Sequence, residues 1–282
     1  MKKRLATFAL AATAVFTAAH ADDYGVWLGA TVQKNITKQL SVDAGLGLRA
    51  ENKLNDLTRY DFDAGLSYKL TPWLGIGGGY SFIRDYNLDE ATPKLDDVTG
   101  AKKGVNVEEA YWRNKHRATF DITGSWDVNL ANKSRFEFSV RERYQYTHFV
   151  PTQTIKNKYR GLIAADQLGG YTGDIFTYDG DSYSRMTPEV DGKRSKHKHY
   201  LRSRFQVAYN IRHCHWTPYA SYEFSNDFAN SLHLDKQRLT AGVEWKITKQ
   251  HKLDFAYVYN NGADDDSDGN NHALSIGYKF KF

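Results

Sequence analysis

Hydrophobic and polar residues alternate along most of the chain from residue 26 onward. Between Leu40 and Glu51 the even positions carry only Leu, Val and Ala, while the odd positions carry Ser, Asp, Gly, Arg and Glu. A period of two sends these two sets to opposite faces of a β-strand. Segments with this pattern number eleven, and they are residues 26–36, 40–51, 59–70, 74–86, 116–127, 134–146, 200–211, 216–225, 238–247, 252–260 and 274–282. The pattern predicts an all-β protein.

The same alternation would suit a soluble sandwich or a barrel that faces lipid, and three further features favour the barrel. The segments are near the ten residues that a tilted strand needs to cross a bilayer. The connections alternate between short turns and longer stretches, the longest of which are 87–110 and 147–197. Tryptophans stand beside the short turns and tyrosines near the long connections, as in the two aromatic girdles of a barrel wall. We therefore predict a transmembrane antiparallel β-barrel of 10–12 strands over residues 22–282, with short periplasmic turns and long extracellular loops.

The number of strands is left open by the pattern. Bacterial barrels usually have an even number of strands and periplasmic termini. With Phe282 in the periplasm, segment 26–36 would begin at the cell surface. Either that segment packs inside a ten-stranded wall, or the wall holds an odd number of strands.

Residues 1–21 have the three parts of a secretory signal peptide. Lys2, Lys3 and Arg4 precede an alanine-rich apolar stretch, and Ala19-His20-Ala21 fits the small-x-small cleavage rule. We expect Sec-type export, cleavage before Asp22 and delivery to the outer membrane of a Gram-negative cell.

Composition excludes several other classes of protein. The formal charge of +5 falls to +2 without the three basic residues of the signal peptide, because 35 basic and 33 acidic residues remain. Nucleic-acid binding would require a concentrated basic face, and we expect none. A single cysteine, Cys214, forbids an internal disulfide framework. The sequence indicates no cofactor.

Several strand-sized phrases carry a resemblance to a known family. They are Leu66–Leu70, Gly79–Arg84, Arg141–Tyr146, Pro218–Glu223, Gly242–Lys246 and Ile276–Phe280. Through them the chain resembles an uncharacterised family, domain of unknown function 2490, which is similar in outline to outer-membrane proteins and has no assigned activity. The last five residues, Tyr278–Phe282, resemble the C-terminal signal that the outer-membrane assembly machinery reads, which implies that this machinery is a partner through Phe282.

Charged side chains occupy the inward register of the predicted barrel. Arginines concentrate on segments 134–146 and 200–211, and acidic residues on segments 40–51 and 59–70. The residues expected to line the lumen are Arg49, Arg59, Asp61, Asp63, Arg117, Asp121, Arg135, Glu137, Arg141, Arg143, Arg202, Arg204, Glu223, Arg238, Glu244 and Asp254. One positive and one negative wall would orient a polar solute, and we interpret the protein as a small pore or binding barrel for hydrophilic solutes of unknown identity. Alternatively, the charges pair across the lumen and plug it.

An enzyme is the less favoured alternative. Ser203, His116 and Glu142 interrupt the apolar outward register on strands that should be consecutive, and they could form a nucleophile, base and orienting acid acting on membrane lipid. The simpler interpretation is that these side chains reach the lipid headgroups.

Two polar segments offer other candidate sites. Asp264, Asp266 and Asp268 match the first half of a calcium loop, but Ser275 stands where its bidentate Glu should be, so a solvated acidic turn is favoured. Basic residues 193–199 could neutralise phosphates of lipopolysaccharide. The third functional alternative is a structural or surface-interaction barrel that acts through loop 147–197.

Overall fold

The computed structural model describes residues 23–131, 134–262 and 270–282. The expected signal peptide, and Asp264, Asp266 and Asp268, lie outside these residues. The strands are β1 (Asp23–Asn35), β2 (Leu40–Glu51), β3 (Asp56–Lys69), β4 (Leu74–Asn87), β5 (Glu90–Leu95), β6 (Lys102–Glu108), β7 (Tyr111–Asn129), β8 (Arg135–Phe149), β9 (Thr152–Ile163), β10 (Phe176–Tyr178), β11 (Asp181–Lys193), β12 (Lys196–Asn210), β13 (Trp216–Asp227), β14 (His233–Lys246), β15 (His251–Gly262) and β16 (Asn271–Lys281). The single short helix in these ranges is a 3₁₀ turn, Leu168–Gly170, and no described helix is long and apolar enough to cross a membrane.

A closed barrel contains eleven of the described strands, in the order β1-β16-β15-β14-β13-β12-β8-β7-β4-β3-β2. Its seam joins β1 to β16 in parallel, with Val26 opposite Leu274 and Val32 opposite Phe280. Antiparallel neighbours alternate in direction, so an odd number of strands must leave one parallel pair when the sheet closes. The all-β barrel of 10–12 strands is confirmed, and the segment predicted at 26–36 belongs to its wall.

By density of contacts the chain divides into two compact units. The barrel unit comprises the described residues up to Ile83, His116–His148 and His197–Phe282. The second unit comprises Arg84–Lys115 and Phe149–Lys196, and its strands form a sheet in the order β10-β11-β9-β6-β5.

The second unit corrects the prediction that 87–110 and 147–197 are loops. Its sheet has its own small core of Val105, Val107 and Tyr183, against which two further tyrosines pack. The alternation is weak here because charged side chains occupy much of β9 and β11, and ion pairs such as Lys156 with Asp191 (2.9 Å) join these strands. No apolar stripe marked β9 or β11 as strands in the sequence.

The barrel is apolar outside and charged inside. Phe62 and Leu239 point outward and are 52% and 51% exposed, whereas Arg202 on the inward register is only 4% exposed. A water-soluble protein buries its large apolar side chains and exposes its charges. The outer face of this barrel has the opposite distribution.

Candidate lumen site

The interior of the barrel unit holds a cavity of about 1120 Å³. The structure places every charged residue predicted for the lumen on its wall, namely Arg49, Arg59, Asp61, Asp63, Arg117, Asp121, Arg135, Glu137, Arg141, Arg143, Arg202, Arg204, Glu223, Arg238, Glu244 and Asp254. Asp43 and Lys252 also line it. The alternation of strand side chains is sufficient to bring these residues to one surface, because a closed sheet has one inner face.

Glu223 on β13 is the centre of an ion-pair network. Arg202 Nη2 lies 2.5 Å from its Oε1 atom and Arg141 Nη2 lies 2.6 Å from its Oε2 atom. Arg238 approaches at 3.7 Å, and Arg202 Nη1 also donates to Gln145 Oε1 at 2.9 Å. The network joins β8, β12, β13 and β14, which are consecutive in the barrel, so these charges pair along one side of the lumen.

Trp27 on β1 continues the Glu223 network toward β2. Its indole lies between two guanidinium groups, with Arg49 4.2 Å and Arg238 5.5 Å from the ring centroid. Trp27 Nε1 donates to Glu51 Oε1 at 2.9 Å. Stacking of guanidinium on an indole face is favourable, more so where water is excluded. Sequence reasoning did not identify Trp27 as part of the site, although its inward register between Val26 and Leu28 was a usable signal.

Solvent reaches the lumen from the end that carries the short turns. Arg135, which pairs with Asp127 at this end, has 48% of its side chain exposed. The exposed fraction is 14% for Arg141 and 26% for Arg143, farther along β8, and 5% for Arg202 in the Glu223 network. Gln145, one further step from the turns, is completely buried. Among these lumen residues, the one beside the short turns is therefore the most exposed, and those of the Glu223 network are largely buried.

A glycine-rich wall faces the cavity from β2, β3 and β4. Across the β2–β3 pairing, Asp43 stands opposite Gly65, Asp61 opposite Gly47 and Asp63 opposite Gly45. A Cβ atom on Gly47 would come within 2.8 Å of Asp61 Cγ, so the carboxylate occupies the space that the glycine leaves free. Without side chains at these glycines, the wall has room for the aspartate carboxylates.

The proposed serine–histidine–glutamate set is not assembled. Ser203 Oγ donates directly to Glu142 Oε2 at 2.6 Å. His116 hydrogen-bonds through Nδ1 to the hydroxyl of Tyr80 at 2.6 Å. A nucleophile needs its base within hydrogen-bond reach, and here the serine bonds to the carboxylate while the histidine bonds elsewhere.

Outward-facing histidines recur as partners of tyrosines, a feature that sequence reasoning missed. Tyr144 pairs with His199 at 2.7 Å and Tyr146 with His197 at 2.6 Å between the tyrosine hydroxyl and Nδ1. The strand alternation divides the basic segment 193–199, because Lys198 points the other way and donates to Tyr200. The segment is thus not one basic surface.

The sequence matches the family model described as "Protein of unknown function (DUF2490)" over residues 24–271, and the chain belongs to this family. A search of curated proteins found no significant match. Among solved structures, one described as "CymD monoaromatic hydrocarbon channel" is similar with a TM-score of 0.33 and 9% sequence identity, over 85% of this chain and 82% of that chain. A similarity of this degree does not indicate a shared solute.

Proposed function

We propose that this member of the DUF2490 family is an outer-membrane β-barrel that admits small hydrophilic solutes to a charged lumen, and that it is not an enzyme. The observation that carries the proposal is a water-accessible cavity lined by charged side chains inside a wall whose outer face is apolar. A lipid surround makes this much exposed apolar surface favourable.

Two aromatic belts support membrane insertion. Near the turns, Trp216 stacks on Trp245 with ring centroids 4.9 Å apart, and Phe136 stacks on Tyr209 at 4.8 Å. Tyr146 lies ten residues beyond Phe136 on β8, which is about 33 Å along a strand and about 25 Å at the usual tilt of roughly 40°. This distance matches the apolar band of an outer-membrane barrel.

The expected partners follow from this placement. Phe282 is exposed beside β1, where its N–H donates to Gln33 O at 3.0 Å, and it would be available to the assembly machinery. Membrane lipid would cover the apolar face, and lipopolysaccharide would meet the tyrosine–histidine pairs at the end away from the turns. With the turns in the periplasm, the more exposed end of the lumen would face that compartment.

Single-channel conductance of the refolded chain from Asp22 in a planar bilayer tests the proposal. We expect discrete steps with anion selectivity, because arginines outnumber acids among the inward charges of β8 and β12. Arg141→Ala combined with Arg204→Ala should lower that selectivity, whereas Arg185→Ala on β11 of the second unit should not. A correctly folded barrel without conductance steps, into which no small solute exchanges, would contradict the proposal.

Surface interaction through segment 147–197 is a second candidate. It is favoured by the separate core of the second unit, since this segment is folded and not merely a connection. Replacing residues 152–193 by a short Gly-Ser linker distinguishes the two functions: unchanged conductance with lost cell-surface attachment would favour interaction.

A further inference from the structure

Arg204 is the direct partner of Glu223 in the β12–β13 register, but the Glu223 carboxylate bonds to other arginines. Both carboxylate oxygens of Glu223 are taken by Arg202 and Arg141. Among the described residues no carboxylate lies within 4 Å of Arg204, and its buried Nε atom has no hydrogen-bond partner. A partly buried guanidinium with an unsatisfied N–H group is costly unless water or a bound anion accepts a hydrogen bond from it.

Carboxylates line the other side of the cavity. Asp43, Asp61 and Asp63 lie on β2 and β3, where Asp61 and Asp63 share a hydrogen bond and Arg49 and Arg59 attract Asp61. The Asp61 and Asp43 carboxylates lie over Gly47 and Gly65, the glycines opposite them. This wall can accept hydrogen bonds from a cationic group that enters the cavity.

The two groups of charges lie on opposed walls. In the closed order of strands, β12 and β2 are separated by β8, β7, β4 and β3 in one direction and by β13, β14, β15, β16 and β1 in the other. They are therefore nearly diametric, and both contribute to the same cavity of about 1120 Å³. This volume is enough for a small solute with its water.

We propose that the lumen binds small zwitterionic solutes of amino-acid or dipeptide size, with the anionic group at Arg204 and the cationic group at Asp43, Asp61 and Asp63. The inference rests on the proposed function, since the solute must enter the lumen. An anion without a positive group would pair with Arg204 but would be repelled by the carboxylates of β2 and β3. A cation without a negative group would pair with these carboxylates but would leave Arg204 unsatisfied. A solute that carries both charges satisfies both walls at once.

Three dipeptide probes test the charge requirement: glycylglycine, its N-acetyl derivative and its C-terminal amide. Their binding to the refolded chain in detergent micelles is measured by isothermal titration calorimetry. We expect glycylglycine to bind about tenfold more tightly than either derivative, because each derivative loses one charge-assisted interaction.

Variants assign each charge to its wall. Arg204→Gln should weaken glycylglycine and its N-acetyl derivative by about tenfold and leave the amide unchanged. Asp43→Asn with Asp63→Asn should weaken glycylglycine and the amide instead. Arg204→Lys, which keeps the positive charge, should restore part of the affinity. The matched controls Arg185→Gln and Asp166→Asn, both in the second unit, should change none of these values.

The possible failures are distinguishable. Equal affinity for glycylglycine and its N-acetyl derivative would overturn the two-signed site and leave an anion site. Absence of binding by all three probes, in a barrel that conducts ions, would overturn the inference while the proposed function stands. A barrel that neither conducts nor binds would contradict the proposed function itself.

Discussion

Arg202 and Glu223 form a buried ion pair between neighbouring strands of the barrel, with Nη2 and Oε1 2.5 Å apart and about 5% of each side chain exposed. The attraction within such a pair offsets the free energy of desolvation only when further hydrogen bonds satisfy the remaining donors and acceptors. Arg141 and Gln145 supply those bonds here. The pair therefore depends on four side chains from three strands.

Glu223→Gln should lower the free energy of unfolding by roughly 3–5 kcal/mol, because Arg141 and Arg202 would keep buried charges without a counter-ion. Urea unfolding from lipid vesicles measures the change. The control is Glu189→Gln in the exposed pair with Lys158, for which we expect less than about 1 kcal/mol. Equal effects of the two substitutions would show that the network is solvated.

Ala241→Arg tests the lipid-facing surface. Ala241 is an exposed outward residue of β14, between Ala220 and Tyr257 on the neighbouring strands. Arginine near the bilayer midplane costs about 2–4 kcal/mol, and we expect that loss in unfolding from vesicles. Ile247→Arg beside the turn should cost about 0–1 kcal/mol. A water-soluble barrel would tolerate both substitutions alike.

Gly47→Ala should alter the lumen without unfolding the barrel. The added methyl group would displace the Asp61 carboxylate, a flexible group, toward the cavity. We expect reduced conductance and unchanged thermal unfolding. Gly124→Ala is the control, because nothing lies within 4 Å of the added Cβ atom. If Gly47→Ala conducts like the unmodified protein, the Asp61 carboxylate does not border the solute path.

Ser203→Ala separates a structural from a catalytic role. Because Ser203 donates to Glu142 and not to His116, we expect no change in the acyl composition of membrane lipid. The lost hydrogen bond should cost about 1–3 kcal/mol in unfolding, since Glu142 loses a donor. A changed lipid composition, analysed by mass spectrometry, would restore the enzyme hypothesis.

Lowering the pH should destabilise the second unit, because Asp191 becomes protonated. The pKa of Asp191 is below its ordinary value because Lys156 donates a hydrogen bond to the carboxylate and Lys193 donates another. A carboxyl whose pKa is lower in the folded state stabilises the fold above its unfolded pKa, about 3.9, and this stabilisation is lost as the pH falls through the folded pKa. Amide hydrogen exchange in β9 and β11, corrected for intrinsic rates, should accelerate below about pH 4. Asp191→Asn should remove this pH dependence, and its persistence in that variant would assign it to another group.

The sequence alone determined the class of fold and which charged residues line the lumen. A strict period of two, as in Leu40–Glu51, assigns every residue to one of two faces whichever strands become neighbours. For this reason Arg141, Arg204 and Glu223 could be placed on one surface before their contacts were known. The pattern failed for β9 and β11, where charged pairs join the strands and no apolar stripe exists.

Only the tertiary structure decided how the strands close and which charges meet. Closure joined β1 to β16 in parallel, which made an odd wall possible. The register of the strands and the length of the side chains paired Glu223 with Arg202 and Arg141. The order of the strands placed Arg204 across the lumen from the carboxylates of β2 and β3. These outcomes depend on distances between residues far apart in the chain, and alternation along a single strand carries no information about them.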